Sequence, residues 1–346
     1  MDVADENQLK MLDNVLRYDL VDIMICSSYS GHFLMKMMKS RAASILLSDS
    51  PGVQRLARDM GNLSSNERSS HVLQMILDDN VIWFRLDPST RTLLATAVAL
   101  NITRMVSNRL SMHVVCKLYK IVFSHRGNYN VEEGVLLKAL DQNFMNVISE
   151  SNGTRIASTC LACEHATVTK LLIKKCIQNM DALLTCLDSE SCIISLLKGL
   201  DKAKCGCGHA ERHQLCQQMC DAITPHAHAL STTQNGKHLI VRMLNMTPNE
   251  TRMTLSGNRM ETNGSRGLMR TLMPHFAALS CDWHGNHVIQ SLIDNVRKYQ
   301  DMELWHNISE LIERGRHVLC RDQYGKHVLQ AFEYAQQFAY DQQRTR

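Results

Sequence analysis

"DWHGNHVIQSLID" (Asp282–Asp294) and "DQYGKHVLQAFE" (Asp322–Glu333) are nearly the same sentence, written 40 residues apart. Both place a Gly, a His and a Gln at fixed offsets. In the first copy the apolar letters are Val288, Ile289, Leu292 and Ile293. Apolar residues at i, i+1, i+4 and i+5 form one buried stripe on a helix of 3.6-residue period. That stripe explains the apolar letters. It leaves the Gly, the His and the Gln unexplained.

The pattern recurs upstream, with decay. In chain order the copies are "YSGHFLMKMM" at Gly31, "RSSHVLQMIL" at Ser69, "LSMHVVCKLY" at Ser111, "NGTRIASTCL" at Gly153, "SESCIISLLK" at Glu190 and "NGKHLIVRML" at Gly236. Gly285 and Gly325 then complete the series. The intervals are 38, 42, 42, 37, 46, 49 and 40 residues, which makes eight units. A unit of that size cannot bury its apolar face alone, so the units are expected to stack as a solenoid. Each copy is preceded by a second helical stretch, such as Leu304–Leu319 or Arg266–Ser280. The expected unit is therefore a helix pair, with the small residue opening the second helix after a tight turn. The longest interval needs extra loop, and Asn245–Ser265 is its expected place, with Gly257–Ser265 as a loop rather than a ninth unit.

Composition agrees with an all-α chain. Hydrophobic residues make up 45% and charged residues 21%, which suits a folded protein, and only 5 prolines interrupt 346 residues. The net charge of +4 permits a polyanion partner without demanding one. The start, "MDVADENQLK", is acidic and polar, unlike a secretory signal. The apolar run "TLLATAVALNI" (Thr92–Ile102) falls short of the ~20 residues that cross a bilayer. Thirteen Cys without a regular framework read as reduced thiols. A cytoplasmic location is expected, with the nucleus or nucleolus as the alternative, and no membrane partner.

The polar letters suggest a ligand. On a helix, Asn286 and Gln290 share one face, and His287 is rotated by about 100° beside them. Two amides can bond the edge of a flat ligand while a ring stacks on its face. A nucleobase offers both an edge and a face. One such triplet per unit would read one base per unit along a single strand.

With these motifs the chain resembles the Pumilio (PUF) repeat proteins, whose RNA-binding domain usually has eight repeats. The resemblance covers roughly Asp19 to Ala335. It implies a right-handed α-solenoid, a curved superhelix, over residues 19–335. Residues 1–18 would then form an N-terminal cap or tail and residues 336–346 a C-terminal tail. It also implies which residues touch RNA. The residue two after the Gly position stacks between bases, and those one and five after it contact the base edge.

Carried over, the stacking position holds Phe33, His71, His113, Arg155, Cys192, His238, His287 and His327. Seven of these eight can stack on a base, Cys192 being the exception. The first edge position holds His32, Ser70, Met112, Thr154, Ser191, Lys237, Asn286 and Lys326. The second holds Lys36, Gln74, Cys116, Ser158, Ser195, Val241, Gln290 and Gln330. The family pairing associates Ser70 with Gln74 with adenine, and Asn286 with Gln290 with uracil. Met112, Cys116 and Val241 offer a base edge little or no hydrogen bonding. The implied function is sequence-specific binding of single-stranded RNA in messenger 3′ untranslated regions, controlling translation and stability with protein effectors. Two alternatives stand beside it: a loosely specific RNA binder of the ribosome-biogenesis type, and a helical scaffold that binds proteins.

No cofactor is expected. "CGCGHAERHQLCQQMC" (Cys205–Cys220) could supply zinc ligands from Cys205, Cys207, His209, His213, Cys216 and Cys220. Its spacing matches no common finger, and thiol packing is the preferred reading. No phosphate-binding Gly-rich loop or Gly-x-Ser-x-Gly elbow occurs, so catalysis is not expected.

Overall fold

In the computed structural model the described residues are 11, 18–26, 29, 33–34, 36, 51–78, 80–124, 129–150, 152–186, 193–197, 200, 207–245, 263–299 and 301–344. Among them there are helices and turns but no strand. Contacts divide the chain into two compact units. The first is Met1–Lys175 with Cys186–Cys192 and Lys204–Gly206; the second is Cys176–Thr185 with Ile193–Ala203 and Cys207–Arg346.

Among the described residues six helices carry the repeated signature. In the first unit they are α1 (Glu67–Asp78), α2 (Arg109–Ser124) and α3 (Gly153–Ala162). In the second they are α4 (Gln234–Asn245), α5 (Gly285–Tyr299) and α6 (Gly325–Arg344). Within each unit they pack in chain order, α1 on α2 on α3 and α4 on α5 on α6. The apolar stripe is the reason. Val72, Leu73, Ile76 and Leu77 on α1, Val114, Val115, Leu118 and Tyr119 on α2, and Val288, Ile289, Leu292 and Ile293 on α5 are all buried. Each such aliphatic side chain is worth about 1.5–3 kcal/mol when removed from water. The copies at Gly31 and Glu190 lie mostly outside the described residues. α6 continues past Ala335 to Arg344, so the segment read as a tail is helical backbone for most of its length.

The stretch before each signature is not the single helix expected. In the first unit it breaks into a long and a short helix: Pro51–Arg58 and Met60–Ser65, Pro88–Leu100 and Ile102–Ser107, Asn130–Gln142 and Phe144–Ile148. Ala166–Gln178 and Met180–Leu184 repeat the arrangement. The break falls each time on an Asp or Asn, namely Asp59, Asn101, Asn143 and Asn179. Asn101 has φ −108° and ψ 9°, in the sparsely used bridge region. Its Nδ2 donates to Ala97 O at 2.8 Å, and Asn143 Nδ2 donates to Ala139 O at 2.9 Å. A side chain that bonds the carbonyl four residues back competes with the helix's own ladder.

Before α4 and α5 proline makes the break. Pro225 and Pro274 sit in the 3-10 turns Thr224–His226 and Met273–His275, each followed by a five-residue helix, Ala227–Ser231 and Phe276–Ser280. Met302–Leu319 alone among these described stretches runs unbroken. Except before α6, the described repeat is thus helix, short helix, helix. The helix Asn263–Leu272 also starts inside the segment read as an insertion, so Asn263–Ser265 are helical; residues 246–262 lie outside the described ones.

Candidate nucleic-acid interface

The turns into five of the six signature helices share one geometry; before α3 the Glu150 backbone carbonyl accepts from Gly153 N instead. In the five, the side chain three residues before the small position accepts from the backbone N–H groups that open the helix. Asp282 Oδ1 accepts from His284 N at 2.9 Å and Gly285 N at 2.7 Å. Asp322 Oδ1 accepts from Tyr324 N and Gly325 N, both at 2.8 Å. Asn66 and Asn108 do the same for α1 and α2, and Thr233 Oγ1 accepts from Gly236 N at 3.0 Å. These side chains satisfy donors that a helix start leaves open.

The small residue itself lies against the carbonyl six residues earlier. A Cβ on Gly153 would sit 2.1 Å from Val147 O, and one on Gly285 2.7 Å from Leu279 O. Ser69 takes the same place by bonding, its hydroxyl donating to Leu63 O at 2.5 Å. This close approach leaves room only for a small side chain where each of these helices begins.

The residues expected to stack emerge to solvent. His71, Arg155, His238, His287 and His327 are exposed and His113 is half-buried, while the two residues after each are buried or half-buried. Adjacent copies feel one another. His287 is held below the usual imidazole range by burial first, then by Lys237, His238, His284 and His327, which lie on α4, α6 and its own turn. His113 is lowered by burial first and then by Arg155, Arg109 and Lys117. Both rings thus lie among cationic groups and imidazoles. Phe33 and Lys36 are exposed. His32, Ser191 and Cys192 lie outside the described residues.

The edge positions behave differently from a pair of outward amides. Asn286 is 2% exposed and Ser70 fully buried. Asn286 Nδ2 donates to Asp282 O at 2.8 Å and Trp283 O at 2.7 Å, while its Oδ1 accepts from Gln290 Nε2 at 2.9 Å. Gln74 Nε2 donates to Ser70 Oγ at 2.9 Å. The first residue therefore positions the second, and the half-buried Gln is the group that faces out. Met112 is buried with Cys116 Sγ 3.4 Å from its Sδ, and burial raises the Cys116 thiol. Thr154, Lys237 and Val241 are half-buried; Ser158, Lys326 and Gln330 are exposed; Ser195 is half-buried. The polar residue three before the Gly was missed in the sequence, although Asn66, Asn108, Thr233, Asp282 and Asp322 recur there in register.

Of the Cys/His cluster, Cys205 and the side chains of His209 and His213 lie outside the described residues; among the described residues no group of three or more His, Cys, Asp or Glu could hold a metal. Cys220 is buried, and burial pushes its thiol up to about 12. No described helix is long and apolar enough to cross a membrane.

No family model matches the chain, and no curated protein sequence matches it. Solved structures do. The RNA-binding domain of yeast Puf5p bound to SMX2 RNA matches with a TM-score of 0.70 at 15% identity, over 94% of this chain and 85% of that chain. PUF-6 in complex with 5BE13 RNA matches at 0.70 and 12% identity, over 95% and 85%. A Puf4 mutant bound to a Cox17 RNA 3′ UTR recognition sequence matches at 0.67 and 14% identity, over 90% and 85%. The chain has the all-α repeat fold of the PUF RNA-binding domain.

Proposed function

We propose that the protein binds single-stranded RNA through a row in each unit: His71, His113 and Arg155 in the first, and His238, His287 and His327 in the second. The observation that carries this reading is the register. A ring or guanidinium recurs at one position of six signature helices, and it is exposed or half-buried in each. Each can stack on a base, an interaction worth about 1–3 kcal/mol per base. Gln74 and Gln290, held by Ser70 and Asn286, supply edge contacts for two bases. The structurally similar PUF domains solved with RNA bound support the reading.

Messenger 3′ untranslated regions are the proposed target, and control of translation and decay in the cytoplasm the proposed outcome. Catalysis forms no part of it. A selection of bound sequences from random RNA tests the reading. A motif with fixed bases supports it. Salt-sensitive binding without a motif supports a loosely specific binder instead, a reading favoured by the Met112–Cys116 contact and by Val241. No binding supports a protein scaffold.

A further inference from the structure

Trp283 stands in the turn before α5, two residues ahead of Gly285, and is 61% exposed. The equivalent positions before Ser69, Ser111, Gly236 and Gly325 carry no aromatic ring, whereas the first copy has Tyr29 there, also exposed. The indole is braced rather than loose. Its ring lies 5.6 Å from Tyr324 at 68° and 6.4 Å from His284 at 76°, both edge-on. Edge-to-face contacts fix the orientation of a ring while leaving much of its surface open. Its own carbonyl is fixed by Asn286 Nδ2 at 2.7 Å. His284 also belongs to the basic surroundings of His287, so the open indole adjoins the row already described.

We propose that Trp283, braced by Tyr324, is an additional stacking platform that takes one nucleobase of the bound strand beside the row, outside the one-base-per-repeat positions. The proposal rests on the RNA-binding reading above. An exposed indole continuous with a row of stacking side chains, in surroundings of Lys and His, suits the base of a polyanion better than an apolar protein surface. Stacking on it is tolerant of base identity, because every base has a π-face.

The test uses the full chain and a random-sequence pool of twelve-nucleotide single-stranded RNAs. Binding is followed by anisotropy of labelled RNA and, separately, by tryptophan emission. Trp83 is fully buried and Trp305 half-buried, so Trp283 is the most accessible of the three indoles. RNA should quench and blue-shift the emission. Trp283→Ala should abolish that change and weaken binding by roughly tenfold, while Trp283→Phe should recover most of the affinity. Circular dichroism should be unchanged in both. RNA binding by the wild type with no emission change, or equal affinity in Trp283→Ala, overturns the platform alone. Absence of RNA binding by the wild type overturns the reading beneath it, and the platform with it.

Discussion

Gln290 Nε2 donates to Asn286 Oδ1 across 2.9 Å, and Gln74 Nε2 makes the same contact with Ser70 Oγ at the same distance. Two repeats in different units thus solve one problem alike. The residue after the small position is buried, and it holds the glutamine one turn later.

Different costs follow for the two members of the pair. Asn286→Ala removes the donors to Asp282 O and Trp283 O from a buried position and should cost about 1–3 kcal/mol of stability. Gln290→Ala should leave stability within about 0.5 kcal/mol of wild type while reducing base selectivity at that repeat. Urea unfolding monitored by circular dichroism separates the two. Equal destabilisation by both changes would contradict the division of roles.

The glycines give a second pair. Gly153→Ala forces a Cβ against Val147 O at 2.1 Å, and overpacking of this kind costs about 1–3 kcal/mol. Gly134, within the helix Asn130–Gln142, has open space where a Cβ would point, with nothing within 4 Å. Gly134→Ala should therefore stabilise by about 0.5–1 kcal/mol. Thermal or urea unfolding checks both. A neutral Gly153→Ala would show that the turn has slack.

His287 gives a pH dependence. Its folded pKa lies below the ordinary imidazole value of about 6.5, through burial and then Lys237, His238, His284 and His327. The unfolded chain therefore binds more protons between the two values. Stability falls as pH drops from about 6.5 through the folded pKa, and is unaffected by this group above that range. His287→Gln should flatten that part of the profile. Unfolding midpoints from about pH 7.5 to 5 measure it, and a steeper loss in the variant would contradict the assignment.

Much of this was legible in the sequence. The buried register came from Val288, Ile289, Leu292 and Ile293 and their counterparts, because apolar periodicity reports directly on which face is covered. The exposed position was legible because His recurs where an apolar face has no use for it. The broken first helices were not. Asn101 and Asn143 interrupt the ladder through their own side chains, yet the apolar spacing around them runs on. Nor was the inward direction of Ser70 and Asn286, since a polar letter beside a helix start can face either a ligand or its own backbone.

Base preference is the finer test of the edge contacts. By the family pairing, the repeat of Asn286 and Gln290 should prefer uracil at the base it contacts. Changing Asn286 to Ser and Gln290 to Glu together should move the preference toward guanine by about 1–3 kcal/mol. Competition between RNAs differing only at that base reads the shift. A wild-type preference for guanine there would contradict the pairing.

The most direct measurement is a titration of labelled single-stranded RNA with wild-type protein and with a variant in which His238, His287 and His327 are all Ala. All three are exposed, so the fold should survive and circular dichroism should match. With stacking worth about 1–3 kcal/mol per base, the variant should bind at least about a hundredfold more weakly. Affinity within about twofold of wild type, in a protein of unchanged helicity, would contradict RNA binding through this row.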